Sequence, residues 1–381
     1  MSTEREPVPS ICRDIRSTLS DDGTVTMAVH ETDVHQPAAD QVTVRIEAAP
    51  INPSDLGTMF AGADLTTAHH VDGVAAVRAD ISPGALAAQA GRVGSAVPCG
   101  NEGGGVVVAA GSSPEAQALL GRTVGFVSGN SYAEYRTVGV AQCFPMPDGT
   151  TPEQAAAPFV NPLTALGMVE TMRDEGHTAL VHTVGASNLG LMLNRLCRAD
   201  GVGLVNIVRK PEHVELLRGL GADHVVDSSA ASFRDDLVGA LTATGATIAF
   251  DAIGGGDLAS TLLSCMEQVA SSQGGEFSRY GSATHKQVYV YGGLDRSPTT
   301  LRRDFGMSWG LGGWLLRPFL ARIGDDRADG LRRRVADEIT TTFASSYGLR
   351  LSLDDAVDPA QVLRYGRMAT GDKALVTPHG P

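Results

Sequence analysis

Apolar and polar residues alternate along residues 24–28 and 41–48, the period of two that sends neighbouring side chains to opposite faces of a half-buried strand. Asp, Gly and Pro separate these stretches, so the chain from Ile15 to Pro50 predicts an antiparallel, β-rich start. Residues 57–99 are rich in Ala and Gly and carry only weak periodicity, and short strand patterns resume at 103–110, 123–127 and 133–138. Near Thr151 the character changes. Thr151-Pro-Glu-Gln puts a proline at a first helical position and a glutamine at the capping-box distance, which predicts a helix start. Strand patterns at 179–184, 202–208, 224–226, 247–251 and 287–291 then alternate with helical spacings at 189–198, 213–220, 233–243 and 329–342. That succession implies a parallel sheet wrapped by helices. Residues 349–378 return to mixed signals, so the α/β domain, residues 158–342, is expected as an insertion in a β-rich domain made of residues 1–157 and 343–381.

Composition supports two folded domains: 381 residues, 43 % hydrophobic and 19 % charged, with 45 glycines, suit an α/β protein rather than a disordered or fibrous chain. Thirty basic against forty-three acidic residues leave a formal charge of −13, which opposes nucleic acid and anionic membrane surfaces as partners. The two arginine groups, Arg302–Arg303 and Arg332–Arg334, stand in stretches of helical spacing and read as solvated helix faces, with Glu338 placed to pair with Arg334. Five scattered cysteines, without a C-x-x-C pair, neither staple a fold nor form a zinc site. No membrane span and no secretory leader is evident, so a reducing cytoplasm is the expected setting.

The chemistry is concentrated after the strand at 179–184. Gly185-Ala-Ser-Asn-Leu-Gly190 follows that strand and opens a helix, as a dinucleotide-binding turn does, with Ser187 in place of the middle glycine. The motif is not a nucleophile elbow, because Leu189 stands where that motif needs glycine. At the end of the second strand, where an acid would select the ribose 2′-hydroxyl of NAD, the chain has Arg209 and Lys210. Two cations there suit a 2′-phosphate, so NADP(H) is the expected cofactor.

Together with Ile51-Asn-Pro-Ser-Asp55, Gly100-Asn-Glu-Gly103, Ala133-Glu-Tyr135, Val160-Asn-Pro-Leu-Thr-Ala165, Leu220-Gly-Ala-Asp-His224, Asp251-Ala-Ile-Gly-Gly255, Tyr291-Gly-Gly-Leu294 and the run 371–378, this pattern resembles the zinc-independent medium-chain dehydrogenases/reductases. That group holds quinone oxidoreductases and 2-enoyl thioester reductases. The resemblance implies a doubly wound Rossmann domain inserted into a β-rich GroES-like catalytic domain. It implies that Thr164 lies against the nicotinamide, that Tyr291, Gly292 and Gly293 offer backbone groups to its carboxamide, and that Gly185, Ser187, Asn188, Leu189, Gly190, Arg209, Lys210 and Lys373 serve the cofactor. Trp314 matches an aromatic lining the substrate cleft and reads equally as a core residue.

Where zinc-using relatives carry metal ligands, this chain has Asn52 and Asn101, and neutral carboxamides are poor zinc ligands. No metal is therefore expected, and Cys99 reads as a packed residue. The implied function is NADPH-dependent hydride transfer to an activated C=C, an enone or enoyl group, with a quinone as the alternative acceptor; a catalytically idle structural or RNA-associated member is the remaining reading. Asn52 is the candidate for orienting a substrate carbonyl. Enoyl reductases carry a proton-donating tyrosine near the position of Ala63, and its absence leaves Tyr132, His69 and His70 as candidate donors. A small-molecule substrate and a homodimer, joined through the strand near Tyr289–Tyr291 and the segment at Trp314, complete the expectation.

Overall fold

The computed structural model describes residues 7–273 and 278–380. They form two compact units, Met1–Val160 with Arg332–Pro381, and Asn161–Leu331. The return to the first unit comes earlier than the boundary at 342 expected from the sequence. Arg332, midway along the helix Asp325–Asp337, donates to the Ala141 carbonyl at 2.6 Å and lies 4.9 Å from the Phe144 ring centroid.

The first unit holds two sheets. One pairs Ile11–Leu19 antiparallel with Thr24–Asp33 in unbroken register from Ile11↔Asp33 to Leu19↔Val25. Its order is 64–70, 76–80, 24–33, 11–19, 96–98, so the segment with weak periodicity is ordered as the edge strand Asp64–His70, its neighbour Ala76–Asp80, and the short helices Pro53–Phe60 and Pro83–Ala88. The alternation is faint because Asp64–His70 buries none of its residues fully and its register slips between Asp64 and His69. The second sheet centres on Gln41–Pro50, flanked by Glu102–Ala110 and by Ala374–Val376, which pairs in turn with Leu349–Leu351. The C-terminal residues thus complete the sheet begun near the N-terminus.

Two local expectations need correction. Thr151 and Gln154 exchange the capping-box bonds, at 2.9 and 3.2 Å, but only the single turn Gln154–Ala156 forms and the helix begins at Val160. Ala157 precedes Pro158, and a residue before proline is pushed out of the helical region. Arg302 and Arg303 are not helical: Arg303 has a φ of 60°, and Arg302 pairs with Asp257 at 2.5 Å. Arg334 meets Glu338 at 2.8 Å, as its spacing predicts.

The second unit contains a six-stranded parallel sheet in the order 224–227, 203–208, 179–182, 248–251, 286–290, 309–313. Ala179, Val181, Val205, Ile207, Ala249 and Val288 pack with Leu237, Leu241, Leu262, Leu263 and Met266 of the helices Phe233–Thr244 and Leu258–Ser272. The helices Asn188–Asp200 and Pro211–Gly219 pack on the strands 203–208 and 224–227. The chain runs outward from 179–182 to 224–227, then crosses back to 248–251. The strand order therefore reverses between 179–182 and 248–251, and crevices at such reversals are where open α/β sheets bind ligands. The edge of the sheet is Trp309–Gly313; the strand Lys286–Val290, expected at the edge, is interior.

Candidate nucleotide site and a buried polar cluster

In the second unit the glycine turn follows the strand Ala179–His182 and leads into the helix Asn188–Asp200. Ser187 caps that helix, its Oγ accepting the Gly190 amide at 3.0 Å. The terminal glycines are required by proximity. A Cβ on Gly190 would stand 2.3 Å from the Gly185 carbonyl oxygen, and one on Gly185 would stand 2.9 Å from Asn206 Cβ. Turn, helix and second strand are thus in direct contact, the compact form that lets a pyrophosphate reach a helix N-terminus, and Asn188 and Leu189 form its first residues. Arg209 and Lys210 are exposed just past the strand Gly203–Val208, with Lys210 only loosely paired to Glu212 at 3.7 Å. These residues fit a phosphorylated dinucleotide.

Around the reversal point, two side-chain links cross the strand ends. Thr183 Oγ1 donates to Asp251 at 2.9 Å, and Asp251, wholly buried, also accepts the amides of Ile253 at 2.9 Å and Gly254 at 3.2 Å. His182 Nε2 and the Tyr291 hydroxyl are 2.7 Å apart, with the rings stacked at 5.8 Å. Burial pushes the His182 pKa down to about 3 and the Tyr291 hydroxyl above its ordinary range, so both groups are neutral. The Tyr291 amide is committed to the Asp251 carbonyl at 2.9 Å, and a Cβ on Gly292 would lie 2.7 Å from the Ala252 carbonyl oxygen, while Gly293 has open space. Of the three residues expected at the carboxamide, Tyr291 therefore has no amide hydrogen to offer. Thr164 is buried on the helix Val160–Asp174. Trp314, 6 % exposed, donates to Thr171 Oγ1 at 3.0 Å and packs on Phe250 and Phe319. The cleft role expected for it gives way to a core role.

In the first unit Asn52 is the N-cap of the helix Pro53–Phe60. Its amide nitrogen, Nδ2, donates to Glu102 Oε1 at 2.8 Å, and the other Glu102 oxygen accepts the amides of Phe159 at 2.7 Å and Val160 at 3.0 Å. Asp55 accepts the backbone amides of Asn52 at 2.8 Å and Asn101 at 2.9 Å. Both carboxylates are buried. Burial, together with the neighbouring Glu102 charge, raises Asp55 to about 7; burial raises Glu102 as well, against the pull of Lys373. The Lys373 Nζ is buried without a hydrogen-bond partner, and burial lowers it to about 8 despite the attraction of Glu102 and Asp55.

Asn101 donates to Ser54 at 3.2 Å, and Cys99 is buried with its thiol pushed up to about 12 by burial. Among the described residues no three His, Cys, Asp or Glu side chains converge as metal ligands do. Tyr132 is 1 % exposed and its hydroxyl donates to the Pro50 carbonyl at 3.1 Å, so the candidate proton donor is a buried packing residue. His69 lies exposed on the edge strand, and His70 faces Asp358 at 3.4 Å. The sequence motifs contained Asp55, Glu102 and Asp251, but their roles were not assigned, and His182 was read only as part of an apolar strand.

Residues 189–302 match the zinc-binding dehydrogenase family. Among curated proteins, the chain is 32 % identical over 163 residues to the synaptic vesicle membrane protein VAT-1 homolog of Rattus norvegicus, 42 % of this chain and 40 % of that protein. It is 31 % identical over 213 residues to the mitochondrial enoyl-[acyl-carrier-protein] reductase of Caenorhabditis elegans, 53 % of this chain and 52 % of that one. The chain thus spans about half, or less, of the curated relatives it matches. Its fold matches a Mesorhizobium loti protein described as an NADPH:quinone reductase, with a TM-score of 0.72 at 24 % identity over 98 % of this chain and 100 % of the other. It also matches the Escherichia coli quinone oxidoreductase solved with NADPH, with a TM-score of 0.67 at 16 % identity over 96 % and 100 %. The chain has the fold that these structures share, a Rossmann domain and a GroES-like domain. The likeness to quinone oxidoreductases and enoyl reductases read from the sequence is borne out by these matches.

Proposed function

We propose that the protein is an NADPH-dependent reductase that transfers hydride to an activated C=C, an enone or enoyl group, without zinc. The observation that carries this reading is the compact glycine turn at the strand-order reversal, with Arg209 and Lys210 past the neighbouring strand. Bound NADPH supplies the hydride. The protein supplies position and charge: Arg209 pairs with a 2′-phosphate, and the Asn52 carboxamide, held by Glu102, orients a substrate carbonyl. An enolate spreads its charge over several atoms, so hydrogen-bond donors suffice where an alkoxide would call for a metal. The amides of Asn52 and Asn101 are engaged with Glu102 and Ser54, which supports the zinc-free reading. Quinone reduction is the second reading, favoured by Ala63, which packs partly buried against the core where enoyl reductases carry their tyrosine.

NADPH oxidation followed optically, after chelator treatment, is expected with enones, enoyl thioesters or quinones and not with primary alcohols and NADP⁺. Arg209→Ala should weaken NADPH about ten- to hundredfold and leave NADH unchanged. Equal native affinities for NADH and NADPH, or turnover of alcohols alone that is lost on chelation, would overturn the reading.

We also propose a homodimer joined through Trp309–Gly313, the edge strand, which is flanked by exposed Met307 and Leu315. A monomer mass at every concentration in solution scattering would remove it. A cytoplasmic setting suits the five buried, unpaired cysteines, and cell fractionation tests it. The acidic balance argues against nucleic-acid partners, and no helix among the described residues is long and apolar enough to cross a membrane.

A further inference from the structure

We infer that His182 is a positioning residue for the nicotinamide end of the cofactor, acting through its hydrogen bond to Tyr291 to fix the Tyr291–Gly293 turn against the end of the sheet. The inference rests on the proposed NADPH site and adds a residue to it. His182 is the last residue of the central strand and Tyr291 follows the strand Lys286–Val290, with the strand Ile248–Asp251 between them. The 2.7 Å bond therefore ties together the two strands on either side of the one at which the order reverses. Beyond Tyr291 the chain has no helix to hold it. Gly292 lies too close to Ala252 to bear a side chain, and Leu294 and Asp295 donate their amides to Ala252 at 3.1 Å and to Ile253 at 2.9 Å.

The Thr183–Asp251 link holds the facing loop, since Asp251 caps the amides of Ile253 and Gly254. Two loops that must present backbone groups to a flat carboxamide are thus each anchored by a side chain from the end of the same strand, His182 for one and Thr183 for the other. A hydrogen bond formed before the ligand arrives removes loop-ordering entropy from binding. A link of this kind acts on the nicotinamide half alone; the adenosine half depends on the glycine turn, Arg209 and Lys210.

The separation of the two halves gives the test. In calorimetric titrations Tyr291→Phe and His182→Leu should each weaken NADPH about three- to tenfold, while 2′,5′-ADP, which carries only the adenosine half, binds as to the native protein. Because both substitutions break one link, the double variant should be no weaker than the worse single variant. His182→Gln, whose amide can reach the tyrosine hydroxyl, should recover part of the affinity. Without any ligand, hydrogen exchange should speed up at the amides of Leu294 and Asp295 in both single variants and not at those of the glycine turn.

Unchanged NADPH affinity and exchange in Tyr291→Phe, which keeps the ring and so the packing, would overturn the inference. Equal weakening of NADPH and 2′,5′-ADP would also overturn it, because it would mean general loosening of the unit. If the native protein binds neither compound, the functional reading itself fails, an outcome separate from the other two.

Discussion

The polar clusters of the two units are built on different electrostatic plans. In the unit 161–331, the groups around the strand-order reversal are neutral or fully engaged: His182 and Tyr291 are uncharged and bonded to each other, and the Asp251 carboxylate accepts three hydrogen bonds. In the other unit two buried carboxylates, Asp55 and Glu102, share their surroundings with a buried ammonium, Lys373, that has no hydrogen-bond partner. The first plan fixes geometry with groups that stay uncharged in the folded state near neutral pH. The second keeps charge in a low-dielectric interior, where burial opposes it and only part of that cost is offset by neighbours.

The contrast is broken most directly at Glu102. Its carboxylate accepts the Phe159 and Val160 amides and the Asn52 Nδ2 donor. Glu102→Ala leaves those donors buried without that acceptor and leaves Lys373 facing Asp55 alone, so a loss of about 3–5 kcal/mol in stability is expected. Tyr291→Phe, which removes one neutral hydrogen bond, should cost only about 1 kcal/mol. Denaturant unfolding with both variants checks the ratio. If Glu102→Ala costs no more than Tyr291→Phe, the charged cluster is not the more demanding of the two.

Much of the α/β unit was legible in the sequence because fully buried parallel strands are continuous apolar runs and their helices keep a 3.6-residue period. The helix Leu258–Ser272 and the strand Trp309–Gly313 were missed. The strand, Trp-Gly-Leu-Gly-Gly, lacks both the alternation and the β-branched residues that mark one. The glycine turn was found from its spacing, yet that spacing says nothing of the contacts that make Gly185 and Gly190 necessary. His182 stayed hidden because its partner is 109 positions away, and a histidine closing an apolar strand reads as packing. Tyr132 failed in the opposite way: a chemically capable side chain was visible, but the burial that commits it to the core was not, whereas Trp314 took the core role that was one of its two readings.

The sharpest reading of the contrast is a pH slope. The folded-state pKa of Asp55 is about 7, above the ordinary carboxylate value, so the folded protein keeps a proton that the unfolded chain releases above about pH 4. Its contribution to stability is therefore fully present below the unfolded value and is lost as pH rises toward 7. The other groups around it leave that window readable. Lys373 stays charged until about pH 8, Cys99 stays protonated to about 12, and burial raises the Tyr132 hydroxyl well above its ordinary range. Glu102 is raised as well and shifts in the same direction. Asp55→Asn cannot titrate, and its carboxamide oxygen replaces only one of two acceptors, so the variant carries a constant offset with no slope of its own at this position. The stability of Asp55→Asn relative to the native protein should then rise by about 1–3 kcal/mol between pH 4 and pH 7 and level off above it. Titrating groups that do not interact with Asp55 cancel in the difference, and Glu102, whose charge acts on Asp55, does not. The corresponding difference for His182→Gln should change with the opposite sign between pH 4 and 6.5, because a histidine held at about 3 is neutral throughout in the folded protein while the unfolded chain binds a proton below about 6.5. Stated with that sign, the native protein gains on His182→Gln as pH rises from 4 to 6.5 and loses on Asp55→Asn as pH rises from 4 to 7. Two opposed slopes from two buried groups, one in each unit, are what the structural contrast requires, and parallel slopes would contradict it.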